Sequence, residues 1–161
     1  MDKINKKVEQ LLLLKNINYS TKDLSRPWGG FFVIDTTSKE AFIDAFYPEL
    51  KTELMASSLP LSPKILCVAP GKRLSWQYHH RRAELWKLID GQAGYIKSDT
   101  DMQGDVQHMR KGKLLTLACG ERHRLIGRDK WGFIAEIWKH TDAGHPSDED
   151  DIVRLQDDFG R

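Results

Sequence analysis

The feature that most constrains the fold is a change of rhythm at Pro63. From there to about residue 140 the chain runs in apolar segments of four to eight residues, cut by Pro70-Gly71, Asp90-Gly91, Gly104, Gly112, Gly120 and Gly127. Glycine and the Pro-Gly and Asp-Gly pairs favour tight turns, and short apolar segments at this spacing read as strands. The implied fold class is all-β, a sandwich or barrel. The 161 residues favour one domain that buries a core without a metal or disulfide staple.

Ahead of that region the periodicity is helical. Ile4, Val8, Leu11 and Leu12 share one face of residues 3–15, with Asp2 as N-cap. Thr37-Ser38-Lys39-Glu40 reads as a capping box opening a second helix that carries Phe42, Ile43 and Phe46 inward and stops at Pro48. Both helices need an apolar partner, and the outward row near Trp76 on the barrel is the expected one. The organisation is thus one domain over 1–161: a helical extension over 1–25, a helical insertion over 36–63, a core over 64–140 and an arm over 146–161. The arm begins with an acidic run, Asp148 to Asp151, and reads as a short helix or an extended segment.

Charge narrows the function classes. Twenty-five Lys and Arg stand against 23 Asp and Glu, a net +2, too balanced to point to nucleic acid or an acidic membrane. The apolar run Leu11 to Leu14 is too short to span a bilayer and lacks a secretory cleavage site, so the expected location is the cytoplasm. Cys67 and Cys119 form no Cys-x-x-Cys pair and read as small buried thiols.

The densest chemistry lies between Gly71 and Gly91. Gln77 and His79 are two apart and share a face of a strand, and Glu84 returns on the next strand after a tight turn. Some forty residues later, after Gly112 and Gly120, His123 makes a fourth ligand possible. A buried Glu beside two imidazoles calls for a compensating cation. Nitrogen and oxygen donors without thiolate suit one divalent ion, with zinc placed first and manganese, iron or nickel as alternatives. The rival reading is a polar interior satisfied by water. Glu136 lies on a strand where Ile134, Glu136 and Trp138 share a face. If that face is inward, Glu136 is a second carboxylate near the metal and a candidate base; if outward, it is surface charge. His80 points away from His79 and reads as surface, and His108, His140 and His145 as solvated. Arg81, Arg82 and Arg124 read either as phosphate contacts or as solvated charge.

Gly71, His79, Glu84 and Gly91, with Gly112, Gly120 and His123, stand at the spacings of the two cupin motifs, and the chain resembles that superfamily. Gln77 replaces the first His, while Ala118 and Gly127 replace a Pro and an Asn. Arg26-Pro27-Trp28-Gly29, Leu74 to Gln77, Arg82-Ala83-Glu84-Leu85-Trp86, His123-Arg124-Leu125 and the segments Glu149 to Arg154 and Asp158 to Arg161 are similar to the type II mannose-6-phosphate isomerases, in which Gln-x-His is the usual form. The resemblance covers 26–35 and 64–161. It implies a cupin jelly roll, a homodimer and a metal-dependent isomerase of a sugar phosphate, mannose 6-phosphate to fructose 6-phosphate. It also implies Gln77, His79, Glu84 and His123 as metal ligands, Arg82 and Arg124 as substrate contacts, and brings Arg154 to the active site beside Glu136. Many members carry a sugar-nucleotide transferase domain with a Gly-rich loop; this sequence holds none, so guanylyltransferase activity is not expected of it. Arg81 and Leu85 stand where the family usually has His, and Phe159 where it has Tyr, so a difference is expected at the substrate-facing rim. The alternatives are a non-catalytic sugar-binding or regulatory cupin and an isomerase of an unphosphorylated sugar.

Overall fold

Strict alternation along three strands divides this chain into an inner and an outer face. The computed structural model describes residues 1–161. Helix α1 (Asp2–Leu14) leads into β1 (Tyr19–Arg26) and β2 (Gly29–Ile34). Two short helices follow, α2 (Lys39–Phe46) and α3 (Lys51–Ala56). The rest is β3 (Leu61–Val68), β4 (Trp76–Tyr78), β5 (Arg82–Ser98), β6 (Gln107–His108), β7 (Leu114–Leu117), β8 (Arg122–His140) and β9 (Val153–Gln156). The nine strands form one antiparallel sheet curled on itself.

β8 organises the curl. It pairs with β5 from Arg82↔His140 through Ser98↔Arg122, with β3 along its second half and with β4 at Gln77↔His123. The expected short segments are here fused into strands of 17 and 19 residues, bent where the register shifts on both sides of Gly91. Gly91 has φ +73°, and a Cβ there would lie 1.7 Å from the Trp131 carbonyl oxygen. Only glycine allows the strands to cross so closely at the bend.

On β3, Leu66 and Val68 point inward and Ile65 and Cys67 outward; on β8, Ile134 points inward and Phe133, Ala135 and Ile137 outward. The interior core adds Trp86, Leu88, Ala93, Leu117 and Leu125. The helices cover the outer face: Val8, Leu12, Phe42, Ile43, Phe46, Tyr47 and Leu54 pack on Phe32, Ile34, Ile65, Cys67, Leu85, Phe133, Ala135 and Ile137. The cap therefore exists, but its partner is this sheet and not the Trp76 row. Trp76 is buried elsewhere, its indole N–H donating to the Asp101 carbonyl at 2.8 Å. Tyr47 joins cap to sheet, its hydroxyl lying 2.5 Å from the Ala135 carbonyl oxygen.

Several local expectations are corrected. Residues 19–26, expected within a helical extension, are strand β1 paired with β2. Met1 and not Asp2 precedes the first helix. The Thr37–Glu40 box does not form, because Asp35 takes the Thr37 N–H (2.9 Å) and hydroxyl (2.7 Å) into a competing turn. Cys119 is exposed; Cys67 is buried, which pushes its thiol up to about 12. His140 is buried between Ser62 and Ser147.

Because Phe42 is fully buried where α2 meets the sheet, Phe42→Ala should lower the unfolding free energy by about 3–5 kcal/mol in urea denaturation. A loss below about 1 kcal/mol would mean that the helices are an appendage and not part of the core.

Candidate active site

The inward parity that buries Ile134 and Trp86 also carries polar side chains into the barrel. Gln77 comes from β4, His79 from the turn after it, Glu84 from β5 and His123 from β8, all buried. The ligand atoms of His79, Glu84 and His123 lie within 4.8 Å of one another. His79 Nε2 is 3.2 Å from one Glu84 oxygen and His123 Nε2 is 3.5 Å from the other.

Backbone carbonyls set both imidazoles. His79 Nδ1 is 2.6 Å from the Asp151 carbonyl oxygen, and His123 Nδ1 is 2.9 Å from that of Glu121. A carbonyl only accepts, so each Nδ1 carries the hydrogen and each Nε2 offers a lone pair to the cavity. His123 Nε2 is buried with no hydrogen-bond partner. An orphaned acceptor facing a carboxylate and a second imidazole lone pair fits a divalent cation. Burial pushes the His123 imidazole down to about 4, which keeps it neutral as a ligand must be. Gln77 Oε1 accepts from the Ser75 hydroxyl at 2.5 Å, and its Nε2 is 3.4 Å from His79 Nε2. The Ser75 hydroxyl can donate or accept, so the amide turned over is equally satisfied and directs its oxygen at the same point.

Glu136 faces inward, the first of the two alternatives its strand left open. The Trp86 indole N–H lies 3.0 Å from both Glu84 Oε2 and Glu136 Oε1. The two carboxyls on either side of it are driven apart. Burial opposes a charge on Glu84, but the imidazoles of His79 and His123 and the Arg82 guanidinium outweigh it and hold the carboxyl well below its usual range. Burial and the nearby Glu84 charge raise Glu136 to about 8. One carboxylate and one carboxylic acid therefore sit side by side near neutral pH.

The arginines separate. Arg82 is buried beside the ligands, with Nε donating to Glu84 at 2.8 Å, Nη2 3.1 Å from His79 Nε2 and the guanidinium 3.6 Å from the Trp138 ring centroid. It orders the ligand set and is not at the mouth. Arg124 is fully buried and does not line the cavity; it donates to the carbonyls of Leu74 (2.8 Å) and Gln156 (3.0 Å) and to Gln103 (3.1 Å). The reason is parity: with His123 inward, its strand neighbour must face the other way. Arg154 is opposite Gln77 across the β4–β9 pairing and lines the cavity, where it forms no hydrogen bond or ion pair. Arg26 and Arg161 also line it, but each is paired, with Asp23 and Asp157 respectively. The cavity holds roughly 660 Å³ out to its open mouth, within the range of small-molecule clefts.

Sequence reasoning missed Ser75, Trp86, Trp138, Ser147 and Asp151. Trp86 and Trp138 were within reach, since each lies two residues from an acidic inward position. Nothing in the acidic run marks Asp151 as buried.

The chain matches a family model described as "Mannose-6-phosphate isomerase C-terminal" over residues 39–157. It is 26% identical over 140 residues to the Mannose-1-phosphate guanylyltransferase of Escherichia coli and 28% identical over 137 residues to the Xanthan biosynthesis protein XanB of Xanthomonas campestris. The alignments cover 87% and 84% of this chain, which spans about a quarter of those relatives, 23% of each. Among solved structures, oxalate decarboxylase from Bacillus subtilis superposes with a TM-score of 0.58 at 14% identity, over 84% of this chain and 30% of that one. A recombinant oxalate oxidase in complex with glycolate superposes with a TM-score of 0.54 at 15% identity, over 84% and 60%. These likenesses identify the fold as a cupin barrel. No helix is long and apolar enough to cross a membrane.

The carboxyl asymmetry makes stability depend on pH in a defined direction. Unfolded, Glu136 titrates near its ordinary 4.5; folded, near about 8. Its contribution is present below pH 4.5 and is lost as pH rises through 8, because the unfolded chain gives up the proton first. His123, ordinarily 6.5 and about 4 when folded, acts oppositely and is finished above pH 6.5. Between pH 6.5 and 8 the metal-free protein should lose up to about 1.4 kcal/mol per pH unit, and Glu136→Gln should flatten that slope. An unchanged slope in the variant would assign the dependence to another group.

Proposed function

We propose that this chain, which belongs to the mannose-6-phosphate isomerase C-terminal family, is a metal-dependent aldose–ketose isomerase acting on a sugar phosphate, with mannose 6-phosphate and fructose 6-phosphate as the pair. The observation that carries this reading is the split pair of carboxyls, Glu84 charged among the imidazoles and Glu136 protonated, both on the wall of one cavity. Such an isomerisation removes a proton from one carbon, returns it to the next, and shifts another between the attached oxygens. It needs a group that can hold a proton and release it, and a site that stabilises the oxyanion formed between the two transfers.

Glu136 is suited to the first task, since a carboxyl near 8 has both forms accessible around neutral pH. The shared Trp86 N–H fixes its orientation relative to Glu84. Gln77, His79, Glu84 and His123 are the residues that would hold the cation, which when bound supplies Lewis-acid stabilisation of the developing oxyanion. Gln77 is neutral and so leaves such an ion more residual charge than a fourth anionic ligand would. Arg82, locked on Glu84 and Trp138, keeps the carboxylate in place and excludes water from its far side. At the mouth, the unpaired Arg154 offers a fork of donors to a phosphate dianion.

The test is turnover of mannose 6-phosphate and of free mannose by protein loaded with zinc or manganese. Replacing His79 or His123 with Ala should abolish activity. Arg154→Ala should raise KM for the phosphorylated sugar about tenfold or more, since one charge-assisted contact contributes about 1.5–3 kcal/mol, and leave the free sugar unaffected. Equal effects on both sugars would move the reading to an unphosphorylated substrate. Tight sugar binding with no turnover would move it to a binding protein.

A further inference from the structure

The segment Ser147–Asp151 crosses the turn that presents His79 and is fastened on both sides. Asp151 alone accepts hydrogen bonds from three consecutive residues of that turn. Its carbonyl takes the His79 Nδ1–H at 2.6 Å, and its carboxylate takes the backbone N–H groups of His80 at 2.9 Å and Arg81 at 3.0 Å. The same carboxylate accepts from the Ser147 hydroxyl at 2.6 Å, and Ser147 Oγ accepts in turn from Arg82 Nη1 at 2.8 Å. The Ser147 N–H donates to His140 Nδ1 at 2.9 Å, so His140 carries its hydrogen on Nε2, directed at Ser62 Oγ 2.7 Å away. Both Ser147 and Asp151 are buried. Four hydrogen bonds on one buried carboxylate and its own carbonyl are more than a loop needs to lie on a surface.

The two groups this strap fixes are the ones that shape the ligand set. A bond to the Asp151 carbonyl forces the hydrogen of His79 onto Nδ1 and turns Nε2 to the cavity. The Ser147 hydroxyl and the Asp148 carbonyl, 3.1 Å from Arg82 Nη1, hold the guanidinium whose Nε orients Glu84. We propose that Asp151 is a positioning residue for His79, and that the Ser147–Asp151 strap sets the cation affinity of the centre from outside it. This rests on the reading of His79, Glu84 and His123 as metal ligands.

The test titrates the full chain with zinc and with manganese against a competing chelator. In parallel, long-range nitrogen–proton NMR reads the His79 tautomer in the metal-free protein. Asp151→Ala should weaken metal binding about 10- to 100-fold, as loss of a partner behind a ligand does, and should deplete the Nδ1–H form of His79. Asp151→Asn keeps one acceptor oxygen and loses the second, so it should fall between wild type and Asp151→Ala. Ser147→Ala should weaken binding less than Asp151→Ala. If Asp151→Ala does not fold, the other two variants decide. Wild-type affinity and an unchanged His79 tautomer in folded Asp151 variants would overturn the proposal while leaving the ligand assignment intact. A wild type that binds neither ion would end the ligand assignment, and with it the proposal; the two failures are thereby told apart.

Discussion

One buried charge governs the architecture of the site. Glu84 is an ionised carboxylate inside a barrel of nine strands, where an unpaired charge would cost several kcal/mol or more. Everything that touches it answers that cost. Arg82 supplies a fixed cation on one oxygen, the Trp86 indole donates to the other, and two imidazoles turn their lone pairs toward the same space. Removing Arg82 or Trp86 would leave that charge less compensated, so these positions are as constrained as the ligands themselves.

The sheet can hold so much polarity inside because its apolar burial is divided between two faces. Leu85 and Lys87 alternate with Glu84, Trp86 and Leu88 on β5, and the outer positions meet the helices. Lys87 reaches out to pair with Glu49 and lies over the Tyr47 ring at 4.9 Å. The core against the helices is the larger of the two, with 16 buried residues against 8 in the interior. The helical cap thus supplies much of the stability that a polar cavity subtracts. Its place on the fold is an energetic consequence of the site.

Much of this was legible in the sequence because it follows from parity and spacing. Gln77 and His79 two apart, Glu84 after a turn and His123 after a glycine turn are period-two statements, and the structure brings those four side chains together. The direction of Glu136 needed the barrel, since alternation groups it with Ile134 and Trp138 but does not say which face is inner. Arg124 was open to the same argument: lying beside an inward His123, it had to face outward. The strap was not legible. A run of four acids looks solvated, and only the return of residues 147–151 across the His79 turn buries Ser147 and Asp151 and, with them, His140. Long-range closure of this kind leaves no local periodic trace.

The central claim is that the space between these ligands is built for one divalent cation. Elemental analysis of the purified protein, joined to anomalous diffraction at the absorption edge of whichever metal is found, addresses it directly. The account predicts one ion per chain, bonded to His79 Nε2, His123 Nε2, a Glu84 oxygen and the Gln77 amide oxygen. A fully folded protein that takes up no divalent ion on reconstitution, or an ion bound away from Glu84, would contradict it.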